Sequence, residues 1–122
     1  MSDPKTILIV DDSRVSRMLL KKLFNNDFPH WIVEEAQDAA EALRLLETTR
    51  YDMISLDYNM PDKDGLTLAQ EIRERYPETK MALLTANIQS IFREKVEALG
   101  IPFFEKPITE KTAKDLIDVC LG

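Results

Sequence analysis

The chain has one cysteine, one histidine and no long apolar run. A single thiol, Cys120, excludes an internal disulfide, and its place in "KDLIDVCLG" with Ala113, Leu116 and Ile117 at helical spacing predicts a buried side chain. His30, in "DFPHW", has no second histidine with which to share a metal, which disfavours zinc. No stretch approaches the roughly 18 apolar residues of a membrane span, and "MSDPKTILIV" has an acid ahead of its short apolar run. A cytoplasmic location without membrane insertion is expected. Basic residues are also in deficit, 16 against 22 acidic, for a formal net charge of -6. That balance argues against an electrostatic grip on nucleic acid or anionic lipid and favours cations or basic protein surfaces as partners.

What is present is a regular alternation. At 122 residues and 44% hydrophobic, the chain suffices for one compact domain, residues 1–122, with no linker left over for a second. "KTILIVDD" reads as a strand, and "SRVSRMLLKKLFNN" as a helix capped by Ser13. Val15, Met18, Leu19 and Leu23 form its predicted inner stripe, with Arg14, Arg17, Lys21 and Lys22 on the other side. "WIVEEA", "YDMISLD", "KMALLTA" and "IPFFEK" are four further strands, Pro102 falling inside the last and marking it as a sheet edge. The intervening helices are "DAAEALRLLETT", capped by Asp38, "LTLAQEIRERY", stopped by Pro77, and "IQSIFREKVEALG", closed by Gly100. "TEKTAKDLIDVCLG" is the last. Five strand–helix units with nearly continuous apolar strands predict an α/β fold, a parallel sheet covered by helices on both faces.

In such a sheet the carboxyl ends of all strands lie along one edge, where ligands bind. Asp11 and Asp12 follow the first strand, Asp57 ends the third, Thr85 the fourth, and Lys106 the fifth. Each alone is an ordinary loop or strand residue; together they make one site. Three carboxylates about 4 Å apart would repel by roughly 4 kcal/mol per pair at an effective dielectric near 20, so a cation belongs among them. A hard divalent ion with oxygen ligands, Mg²⁺ in particular, fits that donor set. A carboxylate can then act as a nucleophile and form an acyl phosphate, Asp57 being central, while Lys106 and Thr85 contact phosphoryl oxygens. Asp62 and Asp64 are expected to cap and shape the turn before the third helix, and Asp52 stands at the wrong end of its strand.

"ILIVDDS", "ISLDYNMPDKDG", "LLTA" and "FFEKP" resemble, in order and spacing, the receiver domains of two-component response regulators over essentially the whole chain. The resemblance implies a flavodoxin-like, doubly wound (βα)5 fold with strand order 2-1-3-4-5. It implies a stand-alone, chemotaxis-type (CheY-like) regulator without an output domain, monomeric, that accepts a phosphoryl group on Asp57 from a sensor histidine kinase. Asp12 would ligate Mg²⁺ directly, Asp11 directly or through water, with Asp57 and the backbone carbonyl of Asn59 completing the protein ligands. Thr85 and Phe103 would form the switch, although chemotaxis receivers usually carry Tyr at the latter position. Asn59 and Asn87 would tune how long the acyl phosphate lasts, with or without a phosphatase. The surface of the fourth helix, fifth strand and fifth helix, including Gln89, Arg93, Lys95 and Lys111, would meet a downstream protein. The Lys106–Pro107 bond is a candidate for cis geometry. Such a chain would be no enzyme beyond its own phosphorylation and dephosphorylation. Within the family, a chemotaxis role, a phosphorelay shuttle or phosphate sink, and an adaptor acting on an enzyme in trans all stay open. A metal-dependent phosphohydrolase is disfavoured by the missing Asp-x-Asp pattern, and a flavin carrier by two acids where its phosphate loop would be. A pseudo-receiver binding partners without phosphorylation is disfavoured by the intact acids, Thr85 and Lys106.

Overall fold

A computed structural model describes residues 5–86, 97–98, 100–106 and 108–121, with the side chains of Cys120 and Leu121 outside that description. Strands β1 (Thr6–Val10), β2 (Ile32–Ala36), β3 (Met53–Asp57), β4 (Lys80–Thr85) and β5 (Phe103–Glu105) form one parallel sheet in the order β2-β1-β3-β4-β5. The helices are α1 (Arg14–Asp27), α2 (Ala39–Thr48), α3 (Gly65–Arg75) and α4 (Glu110–Leu121). The expected helix "IQSIFREKVEALG" lies mostly outside the described residues, as do Asn87, Gln89, Arg93, Lys95 and Pro107. Gly100, at its end, has φ of 70°, the left-handed geometry expected of a helix-closing glycine.

Alternation along the strands builds two cores. On β1, Leu8 and Val10 face α2 and α3 and pack with Ala42, Leu46, Leu68 and Ile72. Ile7 and Ile9 face α1 and α4 and pack with Leu20, Phe24, Ala113 and Leu116. Phe24 is fully buried and carries Phe28 and Trp31 against its ring, at centroid distances of 5.6 and 6.0 Å. Both faces of the sheet are thus covered, which explains why the central strands are apolar at consecutive positions. Among the described residues, no helix is long and apolar enough to cross a membrane.

Three expectations are corrected. In α1 the inner stripe is Leu20 and Phe24, while Val15, Met18 and Leu19 are exposed and Leu23 is half-buried. The reason is Arg17, placed on the polar side by sequence: it turns inward because Nε donates to Glu35 Oε1 at 3.2 Å and Nη1 to the Asp11 carbonyl at 2.6 Å, rotating the apolar flank outward. Pro102 precedes β5, whose first residue is Phe103; its carbonyl accepts the Leu83 N–H at 2.9 Å, so the missing donor costs the ladder nothing. Asp62 caps α2, not the turn before α3, accepting from Ala39 N at 3.3 Å and Ala40 N at 3.2 Å. Ser13, Asp38 and Asp64 cap α1, α2 and α3 through the amides of Ser16, Glu41 and Thr67, all three as expected. Asp52 bonds the Thr6 amide at 2.8 Å at the opposite end of the sheet. His30 is exposed.

Candidate functional site

The strand order reverses between β1 and β3, and the crevice at their carboxyl ends holds the acids. Asp11 and Asp57 are buried, 4% and 6% exposed, and Asp12 is exposed. Carboxylate oxygens of the three all lie within 4.8 Å of one another. Asp57 reaches this point because β3 pairs with β1 on one side and β4 on the other, Asp57 standing beside Leu84 in register. Thr85 is buried one residue further along β4, and its carbonyl accepts the Lys106 N–H at 2.8 Å, which carries the lysine into the crevice.

Lys106 Nζ lies 2.8 Å from Asp11 Oδ2 and 3.1 Å from Asp57 Oδ1. One ammonium therefore bridges the two buried acids. Burial works against its charge, but the hydrogen bond and attraction of Asp11, with those of Asp57, outweigh it and raise the lysine above its ordinary value. Asp57 is pushed up to about 6 from 3.8, first by burial and then by the charge of Asp11, with Lys106 pulling the other way and Asp12 adding to the rise. Asp11 is fixed further by the Ser13 amide, which donates to Oδ1 at 2.8 Å, and by Arg17 on its carbonyl.

The donor set fits a hard divalent cation. It is three carboxylates, it contains no sulfur or imidazole, and its present geometry already accommodates one positive group between two of the acids. Asn59 is exposed in the β3–α3 loop, whose ends meet where Gly65 N donates to the Tyr58 carbonyl at 2.8 Å. Gly65 is required by close approach: a Cβ there would stand 2.3 Å from the Asp57 carbonyl oxygen. Phe103 packs with the α2/α3 core and Phe104 with the α1/α4 core, so the two rings point to opposite faces of the sheet. Beside the acids, Leu19, Leu20, Leu84, Ala86 and Ile108 line a cavity of about 260 Å³ that also touches Asp11 and Lys106.

Sequence reasoning missed Arg17, Asp62 and Glu35 as supports of this edge. Arg17 carried a signal: one turn into a helix that starts beside paired acids, a long cation can fold back on the preceding carbonyl. Glu35 and Asp62 carried none, since their partners come from other elements.

The model of the response regulator receiver domain matches residues 7–118. Sensor protein EvgS of Escherichia coli K12 is 37% identical over 105 residues, 85% of this chain and 9% of that protein. The chain spans between 9% and 39% of the length of the first curated relatives it matches. Among solved structures, chemotaxis protein CheY4 of Vibrio cholerae superposes with a TM-score of 0.87 at 27% identity, covering 96% of this chain and 98% of that one. Response regulator TrrA of Thermotoga maritima, solved in complex with Mg²⁺-BeF, gives 0.83 at 30% identity, covering 96% and 99%. With the family model spanning nearly all of it and the acid crevice at the reversal of a 2-1-3-4-5 sheet, the chain belongs to the receiver domains of two-component response regulators.

Proposed function

We propose that the chain is a phosphorylation-driven switch in which Asp57 takes a phosphoryl group from a phosphohistidine of a sensor kinase. The observation that carries this reading is Asp57 itself, buried at a strand end within 4.8 Å of two other acids and 3.1 Å from a lysine. An Asp57 carboxylate oxygen attacks phosphorus, the new P–O bond forms as the P–N bond breaks, and the imidazole leaves with the electron pair. Asp11, Asp12, Asp57 and the Asn59 carbonyl would hold Mg²⁺, which when bound would neutralise charge on the phosphoryl oxygens. Lys106 exchanges a carboxylate partner for a phosphoryl oxygen, and the Thr85 hydroxyl donates to another. Drawing Thr85 toward the phosphoryl group frees space on the face it shares with Phe103, whose ring then turns inward. Asn59 and Asn87 set the lifetime. The protein has no turnover of its own beyond gaining and losing this group.

A donor must lie across the rim of the crevice to reach Asp57. Val15, Met18 and Leu19 of α1 form an exposed apolar patch there, continuous through Leu19 with the cavity that touches Asp11 and Lys106. Such a patch supports docking of a helical, histidine-bearing module of the kinase. Likeness to CheY4 supports chemotaxis-type output through the surface on which Lys111 is exposed. Likeness to a segment of EvgS favours a second reading, a relay that passes the phosphoryl group onward. Intact mass after incubation with acetyl phosphate tests the chemistry: one phosphoryl group gained with Mg²⁺, none without it, and none in Asp57→Asn. No gain from acetyl phosphate or from a cognate kinase, in folded protein, favours the pseudo-receiver. Binding partners captured by the phosphorylated form then separate motor protein, phosphotransfer module and effector enzyme.

A further inference from the structure

The β3–α3 loop is tied down on both sides. At the tip, Asp62 reaches across to α2 and accepts from the amides of Ala39 and Ala40 at 3.3 and 3.2 Å. Its neighbour Lys63 forms an ion pair with Glu71 in the middle of α3, and Glu71 also meets Arg75 at 3.2 Å. At the base, Asp64 caps α3 and Gly65 closes on Tyr58. Asp62 stands three residues beyond Asn59, with Pro61 between them limiting the backbone and Met60 packed on the α2/α3 core. A displacement of the tip is therefore passed to the Asn59 carbonyl with little slack.

The two acids at the α2 N-terminus divide its unpaired amides between them. Asp38 takes Glu41 N at 2.8 Å, and Asp62 takes the two before it. Both carboxylates gain from the positive end of the helix dipole. They differ in one respect: Asp38 belongs to α2's own lead-in, whereas Asp62 belongs to the loop that presents Asn59. Besides capping the two amides that Asp38 does not reach, Asp62 thus adds what Asp38 cannot, a tie between α2 and the loop.

We propose that Asp62 is a positioning residue that straps the β3–α3 loop to α2 and so fixes the Asn59 carbonyl for the cation site. This rests on the receiver reading of that site. Orientation of a metal ligand by an outer hydrogen bond changes metal affinity typically by 10–100-fold, and for one carbonyl among several ligands the low end applies. By reciprocity, cation binding must in turn steady the strap.

Mg²⁺ affinity, measured by calorimetry on the full chain, is compared for wild type, Asp62→Ala, Asp62→Asn and Asp38→Ala, with amide hydrogen exchange followed on the same samples. Asp62→Ala should weaken Mg²⁺ by about tenfold, Asp62→Asn by less because one acceptor oxygen survives, and Asp38→Ala by less than twofold although it removes the same charge from the same helix end. Added Mg²⁺ should slow exchange at Ala39 and Ala40 in wild type and not in Asp62→Ala. Equal losses in Asp62→Ala and Asp38→Ala would reduce the effect to helix charge and overturn the proposal, as would an unchanged affinity in Asp62→Ala. Should wild type bind no Mg²⁺, the receiver reading fails first. The strap is then read without metal: faster exchange at Gly65 in Asp62→Ala supports it, and an unchanged rate overturns it.

Discussion

Asp57 is expected to lower the stability of the metal-free protein, and its replacement by Asn measures by how much. Its side chain is 8% exposed, and burial and Asp11 raise its pKa to about 6 from 3.8 despite Lys106. A carboxyl whose folded value lies above its unfolded one binds its proton more tightly when folded. Stability therefore falls as pH rises from about 4 to about 6, and the whole penalty is present above that. At 1.36 kcal/mol per tenfold change, the difference corresponds to about 3 kcal/mol at neutral pH. Asn keeps the shape and removes the charge, and Lys106 retains Asp11 at 2.8 Å, so no buried cation is stranded.

Asp57→Asn should thus be more stable than wild type by about 1–3 kcal/mol at pH 7.5 in EDTA, with a melting temperature higher by about 4–12 °C. Urea unfolding at pH 7.5 and pH 4.5 is the assay. The advantage must shrink at the lower pH, where wild-type Asp57 is largely protonated and no longer differs in charge from Asn. Millimolar Mg²⁺ must raise wild type more than the variant, since the ion stabilises whichever state binds it. A variant equal to or weaker than wild type at pH 7.5 would refute the reasoning. So would an advantage of the same size at both pH values, because the origin would then not be the ionised carboxylate.

Gly65→Ala places a Cβ 2.3 Å from the Asp57 carbonyl oxygen and 2.9 Å from Leu83 Cδ2, and should cost about 1–3 kcal/mol in urea while slowing labelling by acetyl phosphate. Arg17→Ala frees the Asp11 carbonyl and breaks the pair with Glu35; with Glu35 34% exposed, a loss of about 2 kcal/mol is expected from denaturant unfolding. Lys106→Ala leaves two buried acids without their cation, so its melting temperature should fall at neutral pH and recover as acid protonates Asp57; equal losses at pH 5 and pH 8 would contradict the bridging role.

How far the sequence could be read depended on whether a residue's partner was local. Ser13 and Asp38 were legible because a capping side chain bonds an amide a few residues on. The crevice was legible because parallel strands share one edge, which gathers Asp11, Asp57, Thr85 and Lys106 whatever the loops do. The phase of α1 was not. Apolar residues cover more than one stripe of that helix, and periodicity alone does not choose between Val15–Met18–Leu19 and Leu20–Phe24. The choice falls to Arg17, whose bonds to Glu35 and the Asp11 carbonyl exist only once β1 and β2 are paired. Asp62 was misread for the same reason: nothing near it in sequence says that α2 begins beside the loop.

The raised pKa of Asp57 also bears on how one residue can be both a burden to stability and the nucleophile of the proposed function. A value of about 6 leaves the carboxylate mostly ionised at pH 7, the form that the proposed attack requires. The same burial makes that carboxylate more basic than a surface aspartate, which strengthens it as a nucleophile. Lys106 keeps the balance on the useful side. Without its ammonium 3.1 Å away, burial and two neighbouring acids would drive the pKa higher and favour the unreactive acid form. The ammonium is shared with Asp11, so under the proposed function a cation at the acids would take over the neutralising role there and leave Lys106 to meet a phosphoryl oxygen. On the proposed function, the burial of Asp57 and its repulsion from Asp11 and Asp12 are therefore the store of free energy that a cation and a phosphoryl group would draw on, and a site with fewer charges would be steadier and less able to switch.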